Sequence, residues 1–154
     1  MKGTKKASGK LLGGCIEILA DFAFFETENY PIFEEIAKEY NVLPTLEEWK
    51  NSIMLIETGP AKMSPEKYRN IIKKFKELGI MNQISGLVSG KPVDEVYYEE
   101  YKQVLIEELA EYDFPVFYNL NIGHAYPHAI LPLGGEIELN PNTKTIIIKN
   151  SALN

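Results

Sequence analysis

Cysteine is nearly missing from this chain: Cys15 stands alone, so an internal disulfide is excluded, and the usage fits a reducing compartment such as the cytoplasm. Cations are in the minority, with a formal net charge of −6 and a pI near 5.0. That balance argues against a nucleic-acid partner, which needs a cationic face to displace counterions. No apolar run approaches the ~20 residues that span a bilayer, and the start lacks a charged, apolar and cleavage-site pattern, so no membrane role is expected. Internal repeats and low-complexity tracts are also missing. Histidine occurs twice, at His124 and His128, and both fall in one short stretch.

What is present is ordinary globular material, 154 residues with 45% hydrophobic and 25% charged residues, enough for one domain with a real core. Residues 1–9 are basic, small and aperiodic and read as a linker, with the domain over 10–154. A chain opening on a linker is expected to be part of a larger protein. Gly13-Gly14 reads as a close approach of backbone to backbone, a tight packing turn, or the start of a short helix carrying Ile16, Leu19, Ala20 and Ala23. Residues 21–49 are irregular and aromatic, with a helix expected from Pro31 to Tyr40 and a short one after Thr45. They read as a satellite core or a docking surface.

From Ser52 onward the order is strand, helix, strand, helix, strand. Ile53-Met54-Leu55-Ile56 reads as a buried strand ending at Glu57. Ser64-Pro65 caps a helix with Tyr68, Ile71, Ile72, Phe75 and Leu78 on one face, stopped by Gly79. Ile84–Gly90 is a second buried strand, Pro92–Tyr112 a long helix, and Pro115–Tyr118 a third strand. Residues 129–134, 136–139 and 143–149 read as β-segments, the last two joined by an Asn140-Pro141-Asn142 turn, with 136–139 as a half-exposed edge. The predicted fold class is α/β: a small parallel sheet with crossover helices, finished by a C-terminal β-ribbon.

In such a sheet Glu57 and the turn Gly123-His124 share the carboxyl rim, where this architecture puts chemistry. A carboxylate beside an imidazole orients it and stabilises its protonated form, which is two parts of a nucleophilic triad. The third part has no candidate. There is no GxSxG elbow; Ser85 and Ser89 read as strand residues, Ser64 as a cap, and Ser8, Ser52 and Ser151 lie near segment ends. Cys15 shows no sign of thiolate stabilisation. A metal set of Glu57, His124 and His128 competes, but Pro127 between the histidines prevents a helical pair; neither a metal nor a cofactor is expected.

Four segments in order carry a family pattern. They are Gly9-Lys10-Leu11-Leu12-Gly13-Gly14-Cys15 with Ile16-Glu17-Ile18-Leu19; Met54-Leu55-Ile56-Glu57-Thr58; Ser85-Gly86-Leu87-Val88-Ser89-Gly90; and Pro115-Val116-Phe117-Tyr118-Asn119 through Gly123-His124 to Pro127. On these the chain resembles the C-terminal domain of the LD-carboxypeptidase family of serine peptidases, which includes the microcin C self-immunity proteins. The resemblance implies a swivelling β/β/α-like fold, Glu57 as the acid and His124 as the general base. It implies an N-terminal domain, absent here, that supplies the nucleophilic serine, and a substrate that is a murein peptide or a peptide-nucleotide of microcin type. A homodimer is a candidate assembly. Residues 21–44 look longer and more aromatic than the family pattern. A non-catalytic interaction or ligand-binding module that kept the fold is the alternative.

Overall fold

The computed structural model describes residues 3–24 and 32–149. Its centre is one six-stranded sheet. In chain order the elements are β1 (Ala7–Cys15), α1 (Ile16–Phe24), α2 (Ile32–Tyr40), α3 (Leu46–Trp49), β2 (Ile53–Glu57), α4 (Pro65–Glu77), β3 (Gly86–Gly90), α5 (Tyr98–Glu108), β4 (Val116–Leu120), β5 (Glu136–Asn140) and β6 (Thr145–Ile148). The strands lie in the order β4-β3-β2-β1-β5-β6. β1 to β4 pair in parallel, whereas β5 and β6 are antiparallel additions. The expected parallel sheet with a closing ribbon is therefore present.

The order explains the layering. β1, β2, β3 and β4 follow one another in the same direction, and right-handed crossovers then put every connecting helix on one face. On that face α1, α4 and α5 cover Met54, Ile56, Leu87 and Val116, with Tyr68, Phe75, Tyr101 and Leu109 buried between them. The opposite face holds Ile53, Leu55, Val88 and Phe117, packed with Leu11, Ile137, Leu139 and Ile122. Because side chains alternate along a strand, Glu57 points to this second face with Ile53 and Leu55.

The caps follow the sequence. Ser64 Oγ accepts from the Lys67 amide with Pro65 in the first turn, and Gly79 turns left-handed (φ 79°) after α4. Thr45 and Glu48 form a reciprocal capping box. Trp49 is 2% exposed and belongs to the main core, which decides for core over docking surface at that residue. Pro31, Phe25 and Tyr30 lie outside the described residues.

Five expectations are corrected. The Gly13-Gly14 stretch is neither a turn nor a helix start. It is the end of β1, in the middle of the sheet, and Ala7–Gly9 pair with β5 where a linker was expected. The long helix predicted from Pro92 begins only at Tyr98: Asp94, Glu95 and Tyr97 take left-handed φ values of 53°, 59° and 58°, which interrupt any helix. The strand expected over 129–134 is irregular chain, where Pro132 cannot donate to a ladder and Gly134-Gly135 close a turn onto Leu11. Finally, β5 is interior, paired on both sides, and β6 forms the edge instead.

Candidate active site

Glu57 is the last residue of β2 and is 7% exposed. Its room is made by glycines. A Cβ on Gly90, next door in β3, would stand 2.8 Å from the Glu57 Cβ; one on Gly123 would stand 2.3 Å from Oε2. Gly123 also needs its left-handed φ of 75° for the turn that brings His124 round.

The loop that carries His124 is aimed by a bulge. Val88 pairs with Phe117 but Gly90 pairs with Leu120, so β4 carries an extra residue, and Asn119 takes a left-handed φ of 69°. The chain then leaves the strand and is pinned. The Lys91 amide donates to the Leu120 carbonyl at 2.7 Å, and the Ala129 amide to the Asn121 carbonyl at 2.7 Å. Ile122 and Ala125 are buried on either side of the exposed pair Gly123-His124. Two apolar anchors thus hold one imidazole at the surface.

The structure brings Glu57 and His124 together. Glu57 Oε2 lies 2.8 Å from His124 Nδ1 and accepts from the His124 amide at 3.2 Å. A carboxylate only accepts, so the proton of a neutral imidazole sits on Nδ1 and the lone pair on Nε2. The carboxylate is buried and the imidazole side chain is 46% exposed, so the ring reaches solvent while Nδ1 is engaged by Glu57. That arrangement can take a proton from a group presented to Nε2, and the carboxylate beside Nδ1 stabilises the resulting cation.

His128 plays no part in the pair; its ring meets Tyr126 edge-on with centroids 5.2 Å apart. Among the described residues no group of three or more His, Cys, Asp or Glu is placed to hold a metal ion. Three serines among the described residues are engaged elsewhere. Ser85 Oγ donates to the carbonyls of Asn51 and Ser52, Ser89 is buried in β3, and Ser64 caps α4. Cys15, paired with Glu57 across the β1–β2 ladder, is held protonated. Burial and the nearby Glu17 and Glu57 carboxylates push its thiol up to about 12.

A cleft of ≈ 540 Å³ opens beside His124, walled by Lys91, Pro92, Val93, Asp94, Glu95, Ala125 and Tyr126. Its far wall is tied to the β2 loop by the Lys62–Asp94 pair at 2.6 Å, and Lys91 pairs with Glu95. The left-handed residues Asp94 and Glu95 shape this wall, and neither is a glycine that would have marked a positive φ in the sequence. A second cavity of ≈ 400 Å³, lined largely by apolar side chains including Leu19, Leu43, Trp49, Met54 and Phe75, involves neither Glu57 nor His124.

The class defined by this architecture is a parallel α/β sheet, closed by an antiparallel ribbon, with a carboxylate–imidazole pair at its carboxyl rim. The family model for the LD-carboxypeptidase C-terminal domain matches residues 8–139, and the chain belongs to that family. Solved structures agree. A MccF-like protein from Streptococcus pneumoniae, solved in complex with AMP, is 35% identical with a TM-score of 0.87, over 96% of this chain and 42% of that one. The microcin C7 self-immunity protein MccF is 20% identical with a TM-score of 0.73, over 99% of this chain and 41% of that one. A muramoyltetrapeptide carboxypeptidase from Oxalobacter formigenes is 21% identical with a TM-score of 0.67, over 94% of this chain and 46% of that one. At 20–21% identity the last two share the fold. The chain spans less than half the length of each of these three solved relatives.

Proposed function

We propose that this chain is the C-terminal catalytic half of a serine carboxypeptidase and supplies the acid and the base of a Ser-His-Glu triad. The observation that carries the reading is the hydrogen bond between Glu57 and His124 Nδ1, which leaves Nε2 unused by the pair. In the whole enzyme a serine from a separate N-terminal domain meets Nε2. His124 takes the serine proton as the hydroxyl attacks the scissile carbonyl, then returns it to the leaving amine. Glu57 holds the tautomer and stabilises the imidazolium between those two transfers. The isolated chain, lacking that serine, is inactive.

The substrate is an amide between an L- and a D-centre in murein tetrapeptide, or a related amide of a microcin-type nucleotide peptide, and the enzyme works in the cytoplasm. The relatives support this range: one is a muramoyltetrapeptide carboxypeptidase, and MccF is solved with aspartyl sulfamoyl adenosine. Among the described residues no helix is long and apolar enough to cross a membrane.

The test is a fusion of this chain to the portion of the pneumococcal relative that it does not cover. The fusion is assayed on murein tetrapeptide and on an aminoacyl sulfamoyl nucleotide. Hydrolysis of either that His124→Ala removes, in a folded protein, is the expected result. Hydrolysis unchanged by that substitution would make the chain a non-catalytic module.

A further inference from the structure

The turn that follows Glu57 is held by a carboxylate from another part of the chain. Glu17, in the first turn of α1, places both oxygens on the Gly59 amide, at 3.0 and 3.1 Å. The same carboxylate accepts from Cys15 Sγ at 3.2 Å. Cys15 is in turn the ladder partner of Glu57. One carboxylate therefore ties the last residue of β1 to a backbone amide two positions beyond the last residue of β2. The fit is close: a Cβ on Gly59 would lie 3.5 Å from both Cys15 Sγ and Glu17 Oε1.

We infer that Glu17 is a positioning residue for Glu57, which fixes the Thr58-Gly59 turn and through it the reach of Glu57 to His124. The catalytic consequence rests on the triad role proposed above; the positioning does not. Glu57 Oε2 has to satisfy the His124 amide and Nδ1 together, and such a double acceptor tolerates little movement of the strand end behind it. Hydrogen bonds to a charged acceptor are among the stronger ones, so the Glu17–Gly59 clasp is suited to prevent that movement. Glu17 touches no reacting atom in this scheme. Its effect passes entirely through the backbone of the turn.

Amide hydrogen exchange on this chain separates positioning from simple capping of α1. In Glu17→Ala and Glu17→Asp the Gly59 and His124 amides are expected to exchange on the order of tenfold faster, the size set by losing a charge-assisted hydrogen bond. Amides of β1 and β3 should hold their rates, and Glu17→Gln, which keeps an acceptor oxygen, should restore His124. If Gly59 accelerates while His124 does not, Glu17 only caps, and the inference is overturned. It is overturned equally if all amides accelerate together. Should Glu17→Ala not fold, Glu17→Asp decides, since it keeps the charge but shortens the reach. In the active fusion the expected companion is a kcat on the order of tenfold lower at unchanged KM. A moved His124 amide with unchanged kcat would leave the positioning intact and count against the triad.

Discussion

Replacing Gly123 by alanine should break the Glu57–His124 pair, and the structure supplies its own control. Gly123 and Gly134 have nearly the same left-handed φ, 75° and 78°. Alanine carries the backbone cost at both, roughly 1–2 kcal/mol. The surroundings differ. At Gly134 an added Cβ meets nothing within 4 Å, whereas at Gly123 it would lie 2.3 Å from Glu57 Oε2 and 2.6 Å from its Cδ and Cγ. The carboxylate at Gly123 has to move, with overpacking of about 1–3 kcal/mol and loss of hydrogen bonds to a charged acceptor of about 1.5–3 kcal/mol. Gly134→Ala should therefore lower Tm by about 2–8 °C, at roughly 2–4 °C per kcal/mol for a chain of this size. Gly123→Ala should go clearly further and also abolish the downfield His124 Nδ1 proton signal in NMR. Equal Tm losses in the two variants, with that signal kept, would rule out a steric clash at Gly123.

Gly90→Ala brings a Cβ to 2.8 Å from the Glu57 Cβ, so it should destabilise by about 1–3 kcal/mol in denaturant unfolding and weaken the same NMR signal. Ser64→Ala removes the α4 cap and should cost about 1 kcal/mol by the same unfolding assay, while leaving that signal unchanged. The Cys15 thiol, raised from 9.0 to about 12 in the folded chain, should be alkylated by iodoacetamide at pH 8 far more slowly than in urea. Its sign follows: the neutral thiol stabilises the fold fully below about pH 9, and that contribution is lost as pH rises toward 12, a loss that Cys15→Ala should lessen in pH-dependent unfolding.

The pair at the site was legible because each member stands where a pattern ends. Glu57 closes an apolar run and His124 follows a glycine after another, so topology alone put them on one rim. β1 was hidden for a local reason. Its Leu-Leu-Gly-Gly-Cys end lacks the β-branched residues that mark strands, and the strand is held by its neighbours on both sides. Glu17 carries no signal, because an acid in the first turn of a helix is what any solvated helix shows; its partner lies 42 residues away. The late start of α5 was equally silent, since Asp94, Glu95 and Tyr97 adopt left-handed conformations without a glycine among them. The bulge at Asn119, which aims the loop, became visible only through the unequal spacing of the β3–β4 pairing.

The proposed activity depends on His124 being the base of an active site shared between two domains. Steady-state hydrolysis by the fusion with the uncovered portion of the pneumococcal relative, compared with its His124→Ala variant, measures this without an intermediary. The prediction is a fall in kcat of roughly 10³-fold or more with the fold intact, as expected when the base of a triad is removed. A His124→Ala fusion that still turns over within a few-fold of the parent would contradict it.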